Sequence, residues 1–101
     1  MNKKTHDLIP AETHFILSLE EVLTTYGISQ NMVVEIINEG IIDVANETPE
    51  QWEFDNIACQ RIRMVAQLEK DLGVNTAGSG LIIELLEEIQ HLQTLLAIHK
   101  L

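Results

Sequence analysis

The sequence predicts a mainly α fold: a winged helix-turn-helix with a small β-wing, followed by one long C-terminal helix. Three features carry that prediction. Two short helical stretches between Ser18 and Gly40 are punctuated by capping residues. An alternating apolar-polar-apolar triplet, Trp52-Glu53-Phe54, has the period of a strand with one buried face. A run free of glycine and proline from Leu81 onward is apolar on more than one helical side.

Residues 1–13 are polar, contain Pro10 and show no period, which predicts a flexible arm. His14-Phe15-Ile16-Leu17 reads as a short strand leading into the first helix. Ser18 with Glu21 three residues on is a capping box, which satisfies orphan N–H groups at a helix start. Gly27 suits the left-handed residue that ends a helix. Ser29 caps the second helix and Gly40 closes it. Two short helices joined by a glycine-containing turn make the helix-turn-helix. Ile41-Ile42, an acidic loop containing Thr48-Pro49, and the return through Trp52 and Phe54 predict the wing, with both aromatics in the core.

Asp55 is placed to cap a third helix, with an apolar stripe through Ile57, Ala58, Ile62, Val65, Leu68 and Leu72 and a stop at Gly73. Asn75-Thr76-Ala77-Gly78-Ser79-Gly80 reads as a joint or as the weak first turn of the last helix, since two glycines cost helix stability. From Leu81, a helix runs to near the C-terminus. The domain organisation expected is therefore 1–13 flexible arm, 14–74 winged helix-turn-helix domain, and 75–101 C-terminal dimerisation helix. Leu85, Ile89, Leu92 and Leu96 follow a heptad-like spacing, and a helix apolar on several sides must bury several sides. Pairing with the same helix of a second copy satisfies that requirement and predicts a homodimer. The alternative is a monomer whose last helix folds back on its own core.

Charge restricts the function. The 101-residue chain carries 16 acidic against 6 basic residues, a formal net charge of −10. Before residue 60 the only lysines or arginines are Lys3 and Lys4, against eleven Asp and Glu. The second helix, where a DNA reader places its cations, has none and offers Glu35 and Glu39 instead. Because DNA affinity comes largely from neutralising phosphates, nucleic acid is not expected as a partner. An acidic surface steers a basic protein toward it. Glu35 and Glu39, an i,i+4 pair, together with Asp43 and Glu47 are the candidate partner-binding residues.

No catalytic, metal or cofactor site is expected. Glu88-x-x-His91 has the spacing of a di-iron ligand pair, but such a site needs a second pair and two further carboxylates. Cys59 stands alone, so it cannot form an intramolecular disulfide, and a buried structural thiol is expected. No nucleophile elbow, P-loop or zinc motif occurs, which predicts a non-enzyme. No secretory signal or membrane span is read from the sequence, so a cytoplasmic location is expected.

The residues at the turns support a resemblance. Gly27-Ile28-Ser29, Glu39-Gly40-Ile41-Ile42 and Trp52-Glu53-Phe54-Asp55 stand in the order of a MerR-like winged helix. Arg61, Leu68-Glu69-Lys70-Asp71-Leu72-Gly73-Val74-Asn75 and Leu85-Leu86-Glu87-Glu88-Ile89-Gln90-His91-Leu92 continue the likeness, over about residues 14–98. More narrowly, the chain resembles the chaperone-modulatory CbpM family. That resemblance implies a modulator of a DnaJ/CbpA-type co-chaperone, binding its J-domain and blocking engagement of the Hsp70 DnaK. MerR regulators carry Arg and aromatic residues in the second helix where this chain has Met32, Val33, Val34, Ile36 and Ile37. A MerR-like DNA-binding regulator, relying on Arg61, Arg63 and Lys70, and a purely structural dimerisation protein are the alternatives.

Overall fold

The computed structural model describes residues 15–99; the arm at 1–13 and residues 14, 100 and 101 lie outside them. The elements run β1 (Ile16–Leu17), α1 (Leu19–Tyr26), α2 (Gln30–Asn38), a 3-10 turn (Pro49–Gln51), β2 (Phe54–Asp55), α3 (Asn56–Leu72) and α4 (Thr76–His99). The caps form where the side chains specify them. Ser18 Oγ accepts from Glu21 N and Glu21 Oε1 accepts from Ser18 N, at 3.2 and 2.8 Å. Ser29 Oγ accepts from Met32 N, and Asp55 Oδ1 from Ala58 N. Gly27 and Gly73 end α1 and α3 with φ of 64° and 68°, a left-handed conformation glycine adopts without a Cβ penalty.

The sheet pairs differently from the expected wing. β2 is antiparallel to β1, with Ile16 opposite Asp55 and Leu17 opposite Phe54. Ile41 and Ile42 form no strand; they are buried side chains in the loop after α2. The reason lies in the turn chemistry. Gly40 at φ 75° lets Ile41 N reach back to Ile36 O, so the chain is still closing α2 where a strand would have to begin. Trp52 also precedes the strand: it follows the 3-10 turn, where its N–H bonds to Pro49 O.

Both aromatics are nonetheless core residues. Phe54 is fully buried, and the rings meet edge to face with centroids 6.3 Å apart. Trp52 Nε1 donates to Asn46 O at 2.7 Å, so the indole is buried without an orphan donor and ties down the acidic loop. Val22, Val33, Ile36, Ile62 and Val65 complete the centre, one or two from each of α1, α2 and α3. The α3 stripe is broader than the face it buries: Ile57 and Leu72, near its two ends, are 58% and 71% exposed.

α4 begins at Thr76, so the glycine-containing segment is helix and not a joint. Asn75 Oδ1 accepts from Gly78 N at 2.7 Å, an N-cap that offsets the poor helix propensity of the first turn. The small residues let α4 approach closely. Ser79 is fully buried, and a Cβ built on Gly80 would lie 3.2 Å from the Ile41 side chain. Ile83 is the last buried residue of the helix; every described residue from Glu84 to His99 is exposed. The described part of the molecule is accordingly elongated, 48 × 33 × 29 Å.

Candidate partner-binding surface

The surface of α2 follows from its capping and its stripe. Val33 and Ile36 point into the core, which turns Gln30, Asn31, Glu35 and Asn38 to solvent. None of these is cationic, so the helix that would enter a DNA groove presents amides and a carboxylate. Glu35 is engaged: its Oε1 accepts from Thr76 Oγ1 at 3.0 Å, linking α2 to the first turn of α4. Glu35, Asn38 and Glu39 share a shallow cleft of about 340 Å³ with Asn75, Thr76 and Ala77. A second cleft, of about 390 Å³, also contains Glu39 and Ala77 and extends along α4 past Glu84 and Glu87.

The four partner-binding candidates thus divide. Glu35 and Glu39 stand together beside the start of α4. Asp43 and Glu47 are exposed in the loop, but neither lines either cleft. The carboxylates that do join Glu39 are Glu84 and Glu87 of α4, which α2-centred reasoning could not supply.

Arg61 has a larger role than its sequence position suggested. Its Nη1 donates to Ile41 O at 2.8 Å, and its Nη2 to both carboxylate oxygens of Glu87 at 3.1 and 3.0 Å. As an isolated ion pair, with side chains 33% and 52% exposed, this contact is screened and worth less than about 1 kcal/mol. Its weight is geometric, because one guanidinium carried on α3 joins the loop after α2 to α4. The signal in the sequence was an arginine inside the apolar stripe of α3, where a long side chain must reach across a neighbouring helix to place its charge.

An open cavity of about 880 Å³ lies between the helix-turn-helix turn and α3, lined by Tyr26, Ile28, Met32, Arg63 and Lys70 among others. Cys59 is 1% exposed, and its Sγ lies 3.6 Å from Phe54 O. Burial pushes the thiol pKa up despite a hydrogen bond with Tyr26, so the buried structural cysteine expected from the sequence is what the fold contains. Burial first, and then the charge of Cys59, push the Tyr26 hydroxyl up to about 12. Glu88 and His91 are both exposed, and among the described residues no three His, Cys, Asp or Glu are grouped to hold a metal.

α4 presents a second surface. Leu85, Ile89, Leu92 and Leu96 are 54%, 51%, 49% and 66% exposed. At roughly 100° per residue they fall within about 60° of one another, on the side of the helix away from Ile83. On the Ile83 side the helix becomes polar beyond the domain, with Glu87, Gln90 and Thr94. The apolar stripe therefore continues where the contact with the chain's own core has ended.

This arrangement of capped helix pair, short antiparallel sheet, third helix and projecting fourth helix is that of a winged helix-turn-helix regulator. A family model described as MerR HTH family regulatory protein matches residues 17–100. The chaperone modulatory protein CbpM of Pseudomonas putida (strain W619) is 39% identical over 78 residues, 77% of each chain. That of Pseudomonas entomophila (strain L48) is 36% identical over the same share. That of Coxiella burnetii (strain Dugway 5J108-111) is 26% identical over 77 residues, 76% of this chain and 73% of the relative. The chain belongs to the chaperone-modulatory CbpM family of MerR-type helix-turn-helix proteins. These names describe regulators and modulators, not enzymes. No described helix is long and apolar enough to cross a membrane.

Proposed function

We propose that this protein modulates a co-chaperone of the DnaJ/CbpA type, binding its J-domain through the acidic surface at the end of α2 and blocking engagement of the Hsp70 DnaK. The name of the relatives supports the chaperone role, and one observation carries the choice of surface: α2 presents Glu35 and Glu39 and no cation. A J-domain offers Hsp70 a basic helix, and an acidic competitor shields it by charge complementarity. Asp43 and Glu47, on the neighbouring loop, extend the negative field of that surface. The active form is a homodimer whose seam is Leu85, Ile89, Leu92 and Leu96 of α4. The setting is the cytoplasm, where these chaperones act.

The second reading, a DNA-binding regulator, draws on the helix-turn-helix itself and on Arg63 and Lys70 of α3, which line the same cavity as Ser29 and Met32 at the start of α2. Two exposed cations on a chain of net charge −10 supply too few phosphate contacts for useful affinity. The test is binding of a purified J-domain from the same cell to the wild type and to a Glu35→Lys, Glu39→Lys variant at two salt concentrations, with duplex DNA in parallel. The wild type is expected to bind the J-domain in a salt-sensitive way, the variant to associate more slowly with most of the salt dependence gone, and DNA to bind neither. Equal J-domain binding by both proteins would move the interface off α2. Retention of duplex at submicromolar protein would favour the DNA reading.

A further inference from the structure

Side-chain hydrogen bonds from α4 to the rest of the described chain occur at two levels. At its start, Thr76 Oγ1 donates to Glu35; three turns on, Glu87 accepts two bonds from Arg61. The apolar contacts stop between them, at Ile83. Glu87 is thus the outermost tie before the helix leaves the domain, and the twelve residues beyond it project about 18 Å. A small rotation at that point becomes a large displacement of Leu92 and Leu96. Arg61 is also fastened at its other end: Nη1 holds Ile41 O in the segment leaving α2, and Nε is buried with no hydrogen-bond partner among the described residues. A guanidinium presents its donors in a fixed planar fork, so holding Ile41 O and the Glu87 carboxylate at once fixes direction as well as distance. The buried contacts of α4 end at Ile83: Ser79 and Ile83 are buried and Gly80 lies against the Ile41 side chain, so the Glu87 carboxylate is held four residues beyond the last buried side chain.

We propose that Arg61 is the positioning residue that sets the direction of α4 relative to the winged half. It makes the α2 exit, α3 and α4 one rigid unit, so that the carboxylates at the end of α2 and the apolar stripe of α4 are presented at a fixed angle. The ion pair with Glu87 is half-exposed and lies in the cleft that also holds Glu39 and Glu84. A cation from a binding partner that takes the Glu87 carboxylate from Arg61 therefore releases the angle, which links occupation of the cleft to the geometry of α4. The positioning role stands apart from the identity of the partner and from the oligomeric state, because it concerns the angle within one chain.

Amide residual dipolar couplings test it on the full-length protein. In the wild type, residues 15–72 and residues 76–99 should fit one alignment tensor. In Glu87→Gln and in Arg61→Met they should require two, with a reduced degree of order for the helix. Arg61→Lys should restore part of the single-tensor behaviour, since an ammonium reaches one partner and a guanidinium two. The double variant should be no looser than either single, as expected for two ends of one tie. The Trp52 indole resonance and the amide dispersion of 15–72 report whether the winged half remains folded, and Glu87→Gln, an exposed near-isosteric change, guards against misfolding of the Arg61 variant. One tensor fitting all variants as well as it fits the wild type would overturn the proposal.

Discussion

The two halves of α4 are similar in apolar content and opposite in what they do with it. The front half, Thr76 to Ile83, contains two glycines and a serine and is drawn against the core until Ser79 and Ile83 are buried. The rear half, from Glu84 on, contains leucines and isoleucines at nearly every second or third position and buries none within the chain. In the front, smallness is the packing device: the missing Cβ of Gly80 makes room for Ile41. In the rear, bulk has no partner in the same chain. Residue hydrophobicity alone does not say which side of a molecule a helix serves; the balance of size and position along it does.

The largest expected effect separates the halves by stability. Ile83→Ala removes a side chain that is 2% exposed and should cost about 2–4 kcal/mol in urea unfolding, transfer and cavity terms together. Leu92→Ala, half-exposed, should change the stability of the dilute chain by no more than about 0.5 kcal/mol. Similar losses at both positions in dilute solution would erase the distinction and imply that the rear half folds back on its own domain.

Next in size is the effect on assembly. Ile89→Glu with Leu96→Glu places two carboxylates in the stripe proposed for the seam, each costing several kcal/mol if desolvated between helices. Light scattering should show the dimer lost while the far-ultraviolet dichroism of the winged half is kept. A wild-type chain that is already monomeric at high concentration would remove the seam and leave the rear half for a different partner.

Much of this architecture was legible in the residues, and the parts that were not have a common cause. Ser18, Ser29 and Asp55 cap their helices, and Gly27 and Gly73 end theirs, because each acts within four residues of itself. Trp52 and Phe54 were legible as core from bulk alone. The sheet was not: the strand formed by Phe54 and Asp55 takes Ile16 and Leu17 as its partner across 38 residues, and local alternation identifies a strand without naming its neighbour. The glycine pair around Ser79 was ambiguous because propensity counts against a helix, while the close approach that requires glycine is visible only in three dimensions. Arg61 and Glu87, 26 residues apart, depend on the crossing of two helices. At the surface, Glu35 and Glu39 were legible as a helical pair, but their neighbours across the cleft come from α4.

The smallest expected effect concerns pH and falls on the winged half. Tyr26 ends α1 beside the buried Cys59, and its hydroxyl is pushed from the ordinary 10 to about 12, first by burial and then by the thiol. The neutral phenol is therefore favoured in the folded state. Below pH 10 the folded and unfolded chains hold the same proton, and the full stabilising contribution is present. Between about 10 and 12 the unfolded state gives up its proton while the folded state keeps it, so stability falls as pH rises. Cys59, also raised by burial, acts in the same direction, since a thiolate in the core is disfavoured. Tyr26 is only half-buried, and solvent screening keeps the slope shallow. Urea midpoints measured from pH 9 to 11.5 should decline in the wild type and decline less in Tyr26→Phe, which retains the ring and removes the titrating group. Leu92→Ala, altered in the exposed rear half, should follow the wild-type slope. A Tyr26→Phe profile parallel to the wild type would transfer the alkaline sensitivity to Cys59 or to general charge repulsion on an already acidic chain.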